Sequence, residues 1–184
     1  IVENGATLNI VGNVTIDKNQ EVTWRTQTGG KINIQGGVLL DAGTSTILNI
    51  EGDNVNNSVA ANVTVNFIEF ANDVKINVKS GAALIVNQDT FISGSKVSLN
   101  VQGFFRTSGS MKITGNNTMV NVNTPGVVIV DQDFEMTGQG GMTVTGNSEV
   151  EVGGDIKLVG NQNLTVTDPA TFKVCGTYVN DPSI

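Results

Sequence analysis

The chain has 184 residues and a formal net charge of −7, from 17 acidic and 10 basic residues. Hydrophobic residues make up 39 %, enough for a core, but charged residues make up only 15 %, against roughly 25 % in an average globular domain. The acidic balance argues against a nucleic-acid partner, because that affinity rests on Lys and Arg neutralising phosphates. No apolar run approaches the ~20 residues of a membrane-spanning helix, so we expect no membrane span.

Histidine is absent and Cys175 is the single cysteine. These counts exclude His-based catalytic triads, an internal disulfide and the common Cys/His zinc sites. The chain holds 22 glycines and is rich in Asn, Thr and Val. Gly and Asn suit tight turns and Val suits strands, so the composition predicts an all-β protein.

Taken in chain order, the predicted elements repeat. Each unit has an apolar-x-apolar strand, a short polar turn, a second such strand and then a third. The steps between the first apolar positions of successive units are 24, 31, 21, 21, 23, 22 and 22 residues. The third strand keeps the same period in the later units. The first apolar positions are Leu8, Ile32, Val63, Leu84, Phe105, Val128, Val150 and Phe172, and those of the later third strands are Leu99, Val120, Met142 and Leu164.

A unit of about 22 residues cannot bury its apolar face alone, whereas stacked units can, which gives a solenoid. Three strands per unit predict a parallel β-helix in which equivalent strands pair roughly 4.8 Å apart along the axis. We expect about eight coils in one domain over residues 1–184, right-handed because that is the default for parallel strands. The strands of a β-sandwich also alternate apolar and polar residues, but a sandwich does not require its apolar positions to recur at one fixed spacing.

The step from Ile32 to Val63 is the longest of the series. Insertions in solenoids leave as loops on one face, which is often a binding face. We therefore predict an extended loop at about 52–62, either as a tolerated surface loop or as a ligand-binding segment.

Stacking also aligns the side chains that point outwards. In the third strand, an Asn or Thr lies between the two apolar positions of each unit. These side chains are predicted to hydrogen-bond to one another along the rod and stabilise it, as stacked Asn does in cross-β structures. The alternative is a flat polar face for sugars, ice or lateral packing, although mixed Asn and Thr weaken the ice interpretation. A second column, alternating in sign, predicts a charge ladder. The polar ladder is Asn49, Asn77, Asn100, Asn121, Thr143 and Thr165, and the charged column is Lys112, Glu135 and Lys157.

Asp133 and Asp155 lie one coil apart, with Asp131 two residues before Asp133. Stacked carboxylates repel each other unless a cation lies between them, so calcium is the one cofactor that these residues suggest. We favour the other interpretation, in which the side chains splay into water at a turn. Arg106 lies a whole coil earlier and near a different predicted corner, so the cluster is expected to lack a basic partner.

Neither end of the sequence carries an amphipathic helix that would cap a terminal coil. An uncovered coil exposes apolar core and unpaired strand edges. Two interpretations stay open: a slice of a longer solenoid, or ends that meet those of other copies and build a filament. The start at Ile1 rather than Met fits a mature secreted protein and equally a trimmed chain. The candidate contact residues are Ile1, Val2, Leu8 and Ile10 at one end and Phe172, Val174, Tyr178 and Val179 at the other.

The segment GATLNIVGNVTI from Gly5 and the ending TFKVCGTYVNDPSI from Thr171 resemble the Asn/Gly-rich repeats of secreted bacterial β-helix proteins. They are similar to adhesin-type surface and matrix proteins of the Bacteroidota. The resemblance implies an extracellular role: a fibre, sheath or biofilm-matrix subunit that binds copies of itself, or an adhesin segment that binds surface glycans. Pectate-lyase-like polysaccharide enzymes share the architecture but carry long loops over one groove and Asp clusters with Arg or Lys. No such set assembles in this sequence, so we expect no catalytic residues.

Overall fold

The structure is a computed structural model that describes residues 1–41, 46–53 and 62–181. The described residues form 21 β-strands and no helix. The first ten strands are β1 (Thr7–Ile10), β2 (Val14–Ile16), β3 (Glu21–Thr26), β4 (Lys31–Leu40), β5 (Thr46–Gly52), β6 (Val63–Phe70), β7 (Val74–Val78), β8 (Ala83–Val86), β9 (Thr90–Ile92) and β10 (Ser98–Val101). The others are β11 (Phe104–Thr107), β12 (Met111–Ile113), β13 (Thr118–Asn123), β14 (Val127–Val130), β15 (Phe134–Thr137), β16 (Gly140–Thr145), β17 (Glu149–Val152), β18 (Ile156–Val159), β19 (Gln162–Val166), β20 (Thr171–Val174) and β21 (Tyr178–Asp181).

The strands wind into a parallel β-solenoid whose coils have three sides. Side 1 stacks β1, β4, β6, β8, β11, β14, β17 and β20, and side 2 stacks β2, β4, β6, β9, β12, β15, β18 and β21. Side 3 stacks β3, β5, β7, β10, β13, β16 and β19. This topology confirms the predicted all-β parallel helix and the repeat length that the sequence indicates. The chain completes about seven turns on all three sides, and β20 and β21 begin the next coil.

Alternation along each strand turns every second side chain into a narrow apolar core. On side 1 the apolar positions that set the period lie directly on one another, from Leu8 on Ile32 to Val150 on Phe172. In the middle of the rod these side chains are fully buried, as Phe105 is. Branched aliphatic side chains suit this interior because they are compact and favour strand geometry.

Two coils near the start of the chain depart from the pattern of three short strands. β4 continues from side 1 to side 2 across Gln35 and Gly36, where the sequence predicts a turn, and its pairing with β6 shifts register between Ile34 and Gly37. A β-bulge of this kind absorbs extra residues without ending the strand. A Cβ on Gly37 would lie 2.1 Å from the Phe67 ring, so only glycine leaves room for that aromatic side chain.

The predicted loop at 52–62 falls mostly outside the described residues, which include only Gly52, Asp53 and Asn62 of it. Gly52 ends β5, and the Asn62 carbonyl accepts a hydrogen bond from the Ile32 N–H at 2.7 Å. Within the described ranges, no helix is long and apolar enough to cross a membrane.

Candidate functional site

The predicted polar ladder lies on the outer surface of side 3. Thr143 and Thr165 continue it in register towards the end of the chain. Because the amides form hydrogen bonds with one another, they link successive coils, which supports a stabilising role. Three hydrogen bonds, each from an Nδ2 to the Oδ1 one coil earlier, link four members: Asn77 to Asn49 at 2.7 Å, Asn100 to Asn77 at 2.8 Å and Asn121 to Asn100 at 2.9 Å.

A charge ladder runs along the outer surface of side 2. Glu135 lies between Lys112, at 3.0 Å from carboxylate oxygen to Nζ, and Lys157, at 3.9 Å. These three residues occupy neighbouring coils in register, as their alternating signs predict. Partly exposed pairs of this kind contribute less than about 1 kcal/mol each.

A second charge ladder, on side 3, did not emerge from the sequence. Glu51 accepts hydrogen bonds from the Lys79 ammonium at 2.8 Å and from the Arg25 guanidinium. These hydrogen bonds, from Lys79 first and then Arg25, hold the pKa of Glu51 below its ordinary value. This ladder could have been predicted from the sequence, because Arg25, Glu51 and Lys79 follow one another at intervals of about one coil, with Arg25 and Glu51 in register.

Two of the three aspartates considered for calcium accept backbone hydrogen bonds at a corner. Asp133 Oδ1 accepts the Asp155 N–H at 2.8 Å, and Asp155 Oδ1 accepts the Thr177 N–H at 2.7 Å. Asp89 does the same for the Ser110 N–H at 2.8 Å. The carboxylates therefore satisfy backbone donors one coil later. Among the described residues, no group of three or more His, Cys, Asp or Glu side chains is placed to hold a metal ion.

The expectation that Asp131 lacks a basic partner is wrong. The Arg106 Nη2 lies 2.8 Å from Asp131 Oδ2, and its Nε lies 3.0 and 3.1 Å from the two carboxylate oxygens. Arg106 projects outwards from side 1, and its long side chain spans the single coil that separates it from Asp131. The hydrogen bonds to Asp131 raise the pKa of Arg106, so the guanidinium stays charged.

At the N-terminal end the inward column is only partly covered. Leu8 stacks on Ile32 and remains 46 % exposed, whereas Ile10, on Ile34, is half-buried. Val2 is already buried, because it bridges Thr26 in parallel and adds one residue of side 3 before the first coil. Of the four contact candidates at this end, Leu8 and Ile1 present the largest exposed apolar surface.

At the other end β19, β20 and β21 form the outermost edge of the described solenoid. Phe172 and Val174 point inwards on Val150 and Val152 and are half-buried. Tyr178 stacks on Ile156 and is 49 % exposed.

Val179 does not belong to this inward set. It lies in register with Lys157, in the outward column of side 2, since it follows the inward Tyr178 by one residue. Its exposed side chain therefore faces sideways rather than along the axis.

Sequence reasoning missed an exposed aromatic ridge on side 2. Phe91 is 48 % exposed and is paired in register with Glu69 one coil earlier. Two grooves flank this pair, one of about 240 Å³ towards Asp89 and one of about 460 Å³ towards Asp41. The signal was available: Phe91 occupies the outward column of Lys112 and Glu135, where an aromatic residue gains nothing from the core.

No protein-family model, no curated protein and no solved structure matches this chain. The fold alone defines its class: a parallel β-helix repeat protein with three strands per coil. Cys175 lies exposed at a corner of the last described coil as a free thiol. Glycan binding stays an alternative prediction, the expectation of no catalytic residues is untested, and the geometry of the two ends is the feature on which a function can be argued.

Proposed function

We propose that the chain is a structural subunit of an extracellular fibre, sheath or biofilm matrix that assembles head to tail through its solenoid ends. The observation that carries the proposal is the exposure of inward-facing side chains at both ends. Leu8 is 46 % exposed and Tyr178 49 %, while Phe105 in the middle of the same core is 0 % exposed. Apolar surface of this kind favours burial, at about 25 cal/mol per Å².

The edges of the terminal strands supply the second contribution. β20 and β21 carry backbone N–H and C=O groups on the side away from β17 and β18, and no described strand pairs with them there. β1 and β2 present the complementary edge at the other end. Addition of strand to strand would satisfy these groups and continue the parallel ladder from copy to copy. Because the two edges differ, the contact is heterologous and does not close, which builds a filament.

The extracellular part of the proposal rests on the resemblance of the Asn/Gly-rich repeats and on composition. A chain with 15 % charged residues and a single cysteine depends on its backbone ladder and aliphatic core rather than on disulfides. The mechanism would be mechanical: main-chain hydrogen bonds along the axis resist extension.

The test uses sedimentation velocity with two variants, each of which blocks one end. Leu8→Glu places a charge in the exposed inward position of β1, and Phe172→Glu does so in β20. We expect the parent chain to form large species as its concentration rises and each variant alone to remain monomeric. An equimolar mixture should stop at dimers, because each variant retains one working end.

Asn9→Glu is the matched control, since Asn9 neighbours Leu8 on β1 but lies in the outward register with Asn33. It should assemble as the parent does. A parent chain that stays monomeric up to high concentration would overturn the proposal, and so would a mixture of the two variants that shows no dimers.

A further inference from the structure

Glu69 differs from Glu135 and Glu51, which each lie between two basic residues. Glu135 lies between two lysines, and Glu51 lies between Arg25 and Lys79. Glu69 occupies the same outward column of side 2 as Glu135, yet its register neighbours are Leu39 and Phe91. Ion pairs in the described ranges include none to Glu69.

The surroundings of Glu69 combine apolar surface with negative charge. The Phe91 ring stands 48 % exposed beside it, and Phe67 lines the smaller groove, seated over Gly37. Asp89 lines that groove and Asp41 the larger one. Neither groove is lined by a described Lys or Arg side chain. Lys112 lies in register with Phe91 one coil later, on the side away from Glu69, and its ammonium is paired with Glu135 at 3.0 Å. An exposed aromatic ring with carboxylates lining the grooves beside it attracts a positive, flat group.

We propose that the ridge of Phe91 and Glu69 binds an arginine side chain of an extended segment of another protein. The guanidinium stacks on the Phe91 ring, and its N–H groups donate to the Glu69 carboxylate one coil away, roughly 4.8 Å along the axis. Arginine fits better than lysine because its planar group stacks on rings and pairs with a carboxylate through two parallel hydrogen bonds. The grooves on either side receive the flanking backbone of the segment.

The partner is a different protein rather than a second copy. The chain has a net charge of −7 with only 10 basic residues, so two copies repel each other at a sideways contact. The ridge also lies on side 2 in the coils of β6 and β9, away from the terminal strands. Binding there is therefore independent of end-to-end assembly.

The test measures binding of a blocked peptide, acetyl-Gly-Arg-Gly-Arg-Gly-amide, by NMR titration of the ¹⁵N-labelled chain carrying Leu8→Glu, which keeps it monomeric. The matched probe has citrulline in place of arginine, which keeps the planar shape and removes the charge. We expect saturable shifts centred on Glu69 and Phe91 with the arginine peptide, weakened by added salt. Citrulline should lower the affinity at least tenfold.

Three variants place the site. Glu69→Gln and Phe91→Leu should each weaken binding at least tenfold, while Glu151→Gln, which removes one negative charge from side 1 in β17, should leave it unchanged. All three positions are on the surface, and thermal melts verify that each variant folds. Equal loss in Glu151→Gln would overturn the proposal, because it would indicate attraction to net charge alone. Equal affinity for citrulline, or selective binding of a neutral oligosaccharide at Phe91 without arginine binding, would also overturn it.

Discussion

The middle coils and the end coils of this solenoid share the same side-chain columns but differ in how deeply those side chains are buried. Phe105 and Leu8 belong to one inward column of side 1, yet Phe105 is 0 % exposed and Leu8 46 %. The difference comes from the number of neighbouring coils, two in the middle and one at the end. Burial in a solenoid is thus set by position along the axis, so the same residue type stabilises the rod in one place and offers a contact surface in another.

The largest expected effect comes from removing a core side chain in the middle. Phe105→Ala should lower the free energy of unfolding by about 4 kcal/mol, because it loses transfer energy and leaves a cavity. Phe172→Ala, in the same column but half-buried at the end, should cost no more than about 1.5 kcal/mol. Urea denaturation of the monomeric Leu8→Glu background measures both. Equal losses at the two positions would contradict the contrast between middle and end.

Glycines provide a second comparison between the middle and the end of the rod, because backbones pack closely between the middle coils. A Cβ on Gly115 would lie 1.8 Å from the Gly94 carbonyl oxygen one coil earlier, so Gly115→Ala must push two coils apart. We expect a loss of about 3 kcal/mol. Gly12→Ala in the first coil meets nothing within 4 Å and is strained only by its φ of +105°, which costs about 1 kcal/mol. Urea midpoints of the two variants, compared at equal m, check the order.

The Asn ladder offers a smaller difference. Asn100 donates to Asn77 at 2.8 Å and accepts from Asn121 at 2.9 Å and from the Ser98 hydroxyl at 3.2 Å. Asn100→Ala removes these three hydrogen bonds and should cost about 2 kcal/mol. Asn9, exposed in the first coil, accepts one hydrogen bond from Asn33 at 3.0 Å. Asn9→Ala should cost less than about 0.5 kcal/mol. Thermal melts of both variants decide the point, and similar losses would show that the ladder does not hold the middle coils together.

The smallest effect is a pH dependence from Glu51. Hydrogen bonds from Lys79 and Arg25 lower its pKa in the folded chain from the ordinary value of 4.5. The stabilisation is therefore fully present above pH 4.5 and is lost as the pH falls through the lower folded pKa. Its size is below about 1 kcal/mol, since both cationic partners are about half exposed. Glu51→Gln should flatten the decline in stability between pH 5 and 3, and an unchanged slope would count against this ladder.

The periodic parts of the molecule could be predicted from sequence because a solenoid repeats its environment at a fixed spacing. The nearly constant step between units places Leu84, Phe105 and Val128 in one column, and the structure stacks them there. The alternation of apolar residues likewise determined which side chains point inwards. For the same reason the alternating charges of Lys112, Glu135 and Lys157, each one period apart, predicted a charge ladder.

Features that depart from the period were not predictable in this way. The pair of Arg106 and Asp131 depends on the reach of a long side chain between a side and a corner, which spacing does not describe. The run of β4 through Gln35 depends on a bulge, although Gly36 and Gly37 are typical of a turn. Val179 is apolar and close to the end, which made it an end-contact candidate, but its strand position turns it outwards. Phe91 was missed because the predicted charge ladder begins at Lys112, and Phe91 lies one coil earlier in the same outward column without a charge.

The central claim is that the end coils join copies of the chain, and negative-stain electron microscopy of the purified protein tests it most directly. Seven to eight coils at roughly 4.8 Å each give a rod about 35–40 Å long. At high concentration the account predicts filaments one rod wide, which shorten to single rods on dilution or in Phe172→Glu. Isolated rods of single-subunit length at every concentration would contradict it.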